Sequence, residues 1–114
     1  MKIAFHNNQL GLRGTEVGMY DFARYNEEIL GNESIIVSKD PSIWAYSHPL
    51  AIKKFKDRFN VFQYKDFNDV EKFLEEERVD VFYAQKAGVI DGIVSHGRKT
   101  VIHMVFQQYQ PWAF

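Results

Sequence analysis

The chain has 114 residues, of which 46% are hydrophobic and 16% aromatic, and its formal net charge at pH 7 is −1. This length suits one domain with a single core, and the composition excludes a disordered chain. The small net charge gives no general attraction to nucleic acid or to an anionic membrane, and the absence of cysteine excludes disulfides and thiolate chemistry. No apolar run is long enough for a signal peptide or a membrane span, so we expect a cytoplasmic protein without nucleic-acid partners.

The N-terminal stretch is typical of the first strand, ligand-binding loop and first helix of a parallel α/β sheet. Residues 2–6 form a short apolar run, and the polar loop after them contains Gly11 and Gly14. We predict that Thr15 is the N-cap of the following helix and that Gly31 ends this helix in the C′ position. The helical spacing predicts a buried face, interrupted by one polar residue, that consists of Met19, Phe22, Ala23, Ile29 and Leu30.

The rest of the chain alternates between strand and helix patterns. The strand patterns are short, rich in β-branched or aromatic residues, and cover residues 34–38, 61–64, 80–84 and 100–105. A second helix has Pro49 in its first turn, a third is capped by Asp66 or Asn68, and a short fourth helix covers residues 87–95. This alternation predicts right-handed βαβ units and one doubly wound parallel sheet of about five strands, in the order 3-2-1-4-5.

Ligands of such sheets bind at the carboxyl ends of the strands, beside the point where the strand order reverses. The loop residues Gly11, Arg13, Gly14 and Thr15 lie there. The loop enters the amino end of a helix, where free backbone N–H groups favour an anion such as a phosphate. The alternative is a loop that only connects the strand to the helix. The length and polarity of the loop favour the anion site.

The ends of the other strands add candidates to the same crevice. Gln85 and Lys86 follow the fourth strand, where Lys86 is either a functional cation or an ordinary surface lysine. His6 ends the first strand at the crevice, and a hydrogen-bonded structural role is equally open for it. Phe106 and Gln107 follow the fifth strand and are the last residues that we expect around this crevice.

The four histidines lack the spacing and the neighbouring carboxylates that are typical of a metal site, so we expect no metal and no other cofactor. His103 lies in the middle of the fifth strand, and we expect it in the core. Asp40 follows the second strand, where a nicotinamide enzyme holds a ribose, but an Asp-Pro turn explains this residue more simply.

Three stretches resemble the amino-terminal domain of GT-B glycosyltransferases, in the retaining group that uses nucleotide sugars. They are residues 2–5 leading into 11–16, the helix at 20–26, and residues 83–88. The resemblance implies that residues 1–114 form a Rossmann-like three-layer domain that mostly holds the acceptor. The residues that it implies for the donor diphosphate are Gly11, Arg13, Gly14 and Thr15. The acceptor-side candidates are His6, Trp44, Tyr46, Gln85 and Lys86.

The sequence departs from this family in two ways. Phe106 stands where many members have a histidine that contacts the transferred sugar, and the second, donor-binding domain is absent from the 114 residues. We therefore expect a domain that uses a nucleotide-sugar donor and an unknown acceptor when paired with a donor-binding domain, and that is inactive alone. We expect a partner domain or a second copy of the chain to contact the rings of Tyr109, Trp112 and Phe114.

Two other functions remain open at this stage. A stand-alone flavodoxin-like module for ligand binding or regulation needs about this length and five strands. A nicotinamide-dependent enzyme requires Asp40 to point into the crevice. A receiver-type phospho-acceptor is disfavoured, because the first strand leads into His6, Asn7 and Asn8 and not into a carboxylate.

Overall fold

The computed structural model describes residues 1–86 and 91–104. The strands and helices, in chain order, are β1 (Lys2–Asn7), α1 (Gly14–Glu28), β2 (Glu33–Lys39), α2 (Pro49–Arg58), β3 (Asn60–Tyr64), α3 (Asn68–Glu76), β4 (Val81–Lys86) and β5 (Lys99–Met104). Neighbouring strands are all parallel, and the sheet order is β3-β2-β1-β4-β5. The predicted parallel sheet and its strand order are confirmed.

Helices cover both faces of the sheet. On the first face, called face A, Met19 of α1 and Phe55 of α2 pack around Ile36 of β2. On the opposite face, called face B, Leu74 of α3 packs with Phe82 of β4. All five side chains are at most 2% exposed, and burying a side chain of this size contributes about 1.5–3 kcal/mol. The result is a three-layer, Rossmann-like α/β architecture.

The buried face predicted for α1 is correct for two residues and wrong for three. Met19 and Ala23 are fully buried, whereas Phe22, Ile29 and Leu30 are 44%, 71% and 69% exposed. Ile29 and Leu30 lie beyond the last helical residue, so they do not continue the helical face. All three exposed side chains line an open apolar groove of about 460 Å³ on face A.

The face of α1 continues through Asn26, the polar residue that interrupts the apolar pattern. Asn26 is 4% exposed, and its Nδ2 donates to Ser34 Oγ at 2.8 Å and to the Glu33 carbonyl oxygen at 3.3 Å. The Ser34 hydroxyl donates in turn to the Ala23 carbonyl oxygen at 2.8 Å. A buried amide is tolerated here because its hydrogen bonds tie the helix to β2.

The ends of α1 differ from the prediction. Arg13, and not Thr15, is the N-cap residue, and no side chain caps this helix end. The Thr15 hydroxyl instead donates to the carboxylate of Glu16. The helix ends at Glu28 with Ile29 as its C-cap, so the C′ residue is Leu30 and not the predicted Gly31. Gly31, one position further, has a left-handed φ of +71°, which glycine adopts without strain.

The start of α2 agrees with the sequence pattern, whereas the predicted N-cap of α3, Asp66 or Asn68, is wrong. Pro49 begins α2, and the side chain of His48 before it accepts a hydrogen bond from the Leu50 backbone N–H. At α3 the N-cap position falls on the residue between the two predicted caps, and Asp66 Oδ1 accepts from the Asn68 backbone N–H at 2.9 Å. Both helices thus obtain a partner for a free first-turn N–H group.

The short helix predicted at 87–95 is wrong for residues 91–95, which are not helical, and its first four residues lie outside the described residues. Gly92 has a left-handed φ of +70°, and Asp91 Oδ1 accepts from the Ile93 backbone N–H at 2.9 Å. These local features form a turn, which the apolar pattern did not indicate. Within the part of the chain that is described, no helix is both long and apolar enough to cross a membrane.

Candidate functional site

A row of polar side chains crosses face A near the carboxyl ends of the strands. In the register of the sheet, Asn7 of β1 lies beside Ser38 of β2, and Ser38 lies beside Gln63 of β3. On the other side of β1 the row continues with Gln85 of β4 and His103 of β5. We call these five residues the polar row. None of them is a carboxylate, a lysine or an arginine.

The polar row lies one step beyond the apolar core of face A. The residues two positions earlier in the five strands are all apolar or aromatic: Phe5, Ile36, Val61, Tyr83 and Val101. Because side chains two positions apart share a face, the change from apolar to polar occurs at one level in every strand. β1 and β4 flank the point where the strand order reverses, which is where open α/β sheets bind ligands.

The polar row has hydrogen-bonding groups that its own members do not use. Asn7 Nδ2 donates to Gln85 Oε1 at 3.0 Å, and Asn7 Oδ1 accepts from the Gln9 backbone N–H at 3.2 Å. Ser38 Oγ and Gln63 Nε2 are buried and have no hydrogen-bond partner among the described residues. Buried polar atoms without partners are rare and costly, so this row has capacity for another polar group.

An open cleft of about 290 Å³ lies at the β4–β5 end of the polar row. Gly14, Thr15 and Gly18 of α1 form one wall, and Gln85 and His103 stand on the other. A Cβ atom added to Gly14 or Gly18 would meet nothing within 4 Å, so the helix wall is open to the cleft. Three predicted site residues, Gly14, Thr15 and Gln85, are therefore brought together here. The larger apolar groove on face A lacks this polar lining, so we place the site at the smaller cleft.

His103 was assigned to the core by its position in a strand, but it lines the cleft. Its Nδ1 lies 2.9 Å from the Tyr83 hydroxyl, and its ring lies 5.9 Å from the Phe22 ring, centroid to centroid. Burial raises the pKa of Tyr83, which keeps the phenol protonated. The sequence gives only a weak signal for this site, a polar residue two positions after Val101 in an edge strand.

The loop between β1 and α1 encloses a carboxylate of the chain itself. Glu16 is fully buried and accepts hydrogen bonds from Gln9 Nε2, at 2.9 Å, and from the Thr15 hydroxyl. A Cβ atom on Gly11 would lie 2.9 Å from Glu16 Oε1. Gly11 thus makes room for Glu16, a residue that the sequence reasoning did not single out. Arg13 remains exposed at the loop tip.

The predicted acceptor-side rings lie on the neighbouring loop between β2 and α2. Trp44 Nε1 donates to Gln9 Oε1 at 2.9 Å, which ties this loop to the loop after β1. The Lys39 ammonium lies 4.2 Å from the centroid of the Trp44 ring, and the Tyr46 ring packs edge-on at 5.3 Å. Tyr46 itself is 66% exposed. Trp44 is held in place, and Tyr46 is open to solvent.

His6, the other ring predicted at the crevice, points to face B and is 1% exposed. Its Nε2 is 2.8 Å from the Tyr64 hydroxyl, and its ring contacts those of Phe67 and Phe82. Burial, followed by the charges of nearby lysines, lowers the pKa of His6 to about 3. His6 is thus neutral at physiological pH and has the hydrogen-bonded structural environment that the sequence left open.

Lys86 also points to face B, because β4 extends two residues further than predicted and includes it. Its side chain is 1% exposed, and Nζ lies 2.7 Å from Asp91 Oδ1. Burial and the charge of Asp91 together raise the pKa of Tyr64, whose hydroxyl bonds His6. Lys86 is therefore a buried, paired cation and not a surface lysine.

The structure also shows the surroundings of Asp40, but it does not describe the residues after β5. Asp40 Oδ1 accepts from the Ser42 backbone N–H at 2.9 Å, and this hydrogen bonding lowers the pKa of Asp40, as the Asp-Pro turn explanation requires. The candidates after β5 (Phe106, Gln107, Tyr109, Trp112 and Phe114) lie outside the described residues. Among residues 1–86 and 91–104, no three His, Asp or Glu side chains are grouped to hold a metal ion.

The strand order, the three layers and the polar row at the reversal point define an α/β protein of the Rossmann-like class. Comparison with protein-family models, with curated proteins and with solved structures gives no match.

Proposed function

We propose that this chain is the acceptor-side domain of a nucleotide-sugar-dependent glycosyltransferase and works when paired with a donor-binding domain. The observation that carries the proposal is the polar row, of which Gln85 and His103 line the cleft. Amide and hydroxyl groups both donate and accept hydrogen bonds, so a row of them suits a ligand rich in hydroxyl groups. The GT-B resemblance of the first loop and helix supports the same class of ligand.

The donor diphosphate is proposed to lie at the first turn of α1. Arg13 is exposed there, and Gly14 and Thr15 begin the helix, whose free N–H groups favour an anion. Gly11 has a different neighbour, since its Cα faces the Glu16 carboxylate. A second anion beside that carboxylate is unfavourable, so the diphosphate is proposed on the Arg13–Gly14 side of the turn, away from the Thr15 hydroxyl that donates to Glu16. Gly11 serves the proposed site by letting the loop close over Glu16.

The sugar carried by the donor is proposed to lie over Gln85, which shares the cleft with Gly14. The acceptor is proposed to lie on the Tyr46 side of the neighbouring loop, where Trp44 holds the two loops together. His6 and Lys86, which face away from the cleft, contribute by fixing the ends of β1 and β4. The nucleoside of the donor is left to the donor-binding domain, and a domain that holds the reacting pair only in part cannot alone stabilise the transition state of the transfer. The separate domain is therefore proposed to be inactive.

The stand-alone flavodoxin-like module fits the structure less well. Flavodoxin-like sheets have the order 2-1-3-4-5, with one strand on the outer side of the first. Here two strands, β2 and β3, lie on that side, which is the order of the first five strands of the dinucleotide-binding Rossmann sheet.

Thermal-shift and calorimetric binding experiments test the proposal with UDP, GDP, UDP-glucose, GDP-mannose, FMN and NAD. We expect one nucleoside diphosphate or nucleotide sugar to stabilise the chain. Gly14→Val, which fills the open helix wall, should abolish the shift, and Gln85→Leu should weaken binding about ten-fold. Asn60→Leu, an exposed amide at the opposite edge of the sheet, is the matched control. Binding of FMN or NAD alone, or of no compound, would contradict the proposal.

A further inference from the structure

His103 faces the cleft from the edge strand β5. It is next to Gln85 in the register of the sheet, and the opposite wall carries Gly14 and Gly18, which have no side chains. Adjacent strands are about 4.8 Å apart, so the imidazole and the amide stand side by side facing open space. The side chains that the strands contribute to this end of the cleft include an amide and an imidazole, and among the described lining residues none is a lysine or an arginine, so this end suits neutral hydroxyl groups.

Tyr83 fixes the orientation of the imidazole. The Tyr83 ring packs against Phe5 at a centroid distance of 5.2 Å, within the apolar core of face A. Its hydroxyl is 2.9 Å from His103 Nδ1, and the two rings meet edge to face. When the Tyr83 phenol donates to Nδ1, the ring N–H is carried by Nε2, which is then free to donate to a ligand.

We propose that His103 binds a hydroxyl group of the sugar ligand through Nε2–H and that Tyr83 positions the ring. Gln85, beside it, binds a neighbouring hydroxyl group with its amide. This inference rests on the proposed function and gives the cleft its substrate class, a sugar with two adjacent free hydroxyl groups. His103 is a binding residue in this account, and Tyr83 acts only through it.

The test is a titration of the full chain with UDP-glucose and with GDP-mannose, followed by NMR. His103→Phe removes both imidazole nitrogens and should weaken binding about ten-fold, whereas His103→Gln keeps an N–H donor and should lose less than about three-fold. Tyr83→Phe should give an intermediate loss and should change the imidazole ¹⁵N shifts from the Nε2–H tautomer towards a mixture. His96→Phe, at an exposed histidine outside the cleft lining, should change neither readout.

The outcomes separate this inference from the proposed function. If the wild-type chain binds a nucleotide sugar and His103→Phe, with a cooperative melt, binds it equally well, the role of His103 is overturned and the proposed function stands. If the wild-type chain binds neither compound, both are overturned. An Nδ1–H tautomer in the wild-type chain would overturn the role given to Tyr83.

Discussion

The two faces of the sheet have different polar groups at the same carboxyl edge. Face A has uncharged amide and hydroxyl groups from Gln63, Ser38, Asn7 and Gln85. Their chain neighbours, which alternation sends to face B, are Tyr64, Lys39, His6 and Lys86. On face B, His6 bonds Tyr64 and Lys86 pairs with Asp91, and among the described residues only the second ring nitrogen of His6 lacks a partner in these two pairs. On face A, Ser38 Oγ and Gln63 Nε2 have no partner among the described residues, and Gln85 lines the cleft. Face B contributes to the stability of this edge, and face A is the proposed binding face.

The largest expected effect comes from breaking the ion pair of face B. Asp91→Ala leaves the Lys86 ammonium, whose side chain is 1% exposed, without its carboxylate, and should lower the free energy of unfolding by about 3–5 kcal/mol. Urea denaturation measures this loss. The control is Asp57→Ala, which breaks the exposed pair with Lys53 and should cost less than about 1 kcal/mol. An equal loss of unfolding free energy in the two variants would contradict the claim that the buried ion pair of face B contributes more than the exposed pair.

A smaller effect is the dependence of the free energy of unfolding on pH that arises from His6. Its pKa is about 3 in the folded chain and about 6.5 when unfolded, because burial disfavours the charged imidazolium. The unfolded state then binds the proton more tightly, so this contribution to stability is complete above pH 6.5 and is lost as the pH falls towards 3. Between pH 7 and pH 5 the loss should be about 2 kcal/mol.

Urea denaturation at the two pH values checks this dependence. His6→Phe should remove most of the loss between pH 7 and pH 5, whatever its effect on stability at pH 7. His96→Gln, at an exposed histidine, should retain the loss. A wild-type chain equally stable at both pH values would show that His6 is accessible to protons in the folded state.

The smallest effects distinguish two glycines near face A. Gly11→Ala forces the buried Glu16 carboxylate to move, because the new Cβ would lie 2.9 Å from its Oε1, and should cost about 1–2 kcal/mol. Gly18→Ala adds a methyl group in open space within α1 and should gain about 0.5–1 kcal/mol. Melting temperatures of the two variants should therefore move in opposite directions, and a shift in the same direction would contradict the packing described for Gly11.

The fold was predictable because its signals are local and repeated. Short apolar strands alternate with helix patterns, and the right-handed crossover rule leaves few orders for five parallel strands. The predicted fold is wrong at two kinds of position. One is a polar residue that is buried in an otherwise apolar helix face, and the other is an apolar run that does not form a helix. Asn26 is buried because Ser34 accepts its hydrogen bond, and residues 91–95 turn because Asp91 and Gly92 favour a turn.

The site was predictable only in part. The loop after β1 and the end of β4 were located from topology, which brought Gly14 and Gln85 into one cleft. Which face each side chain occupies depends on strand register and on where β4 ends, and a one-residue difference moves a side chain to the other face. This is why Lys86 was expected in the crevice and His103 in the core. The role of Glu16 depends on loop geometry that no spacing rule gives.

The most direct test of the account follows the side-chain amide signals of Asn7 and Gln85 in ¹H–¹⁵N NMR spectra during titration with UDP-glucose or GDP-mannose. Both signals should shift saturably, with no shift of the Asn60 amide at the opposite edge of the sheet. Unchanged Asn7 and Gln85 signals at saturating ligand, or shifts confined to other parts of the chain, would contradict the claim that the polar row of face A is the binding surface.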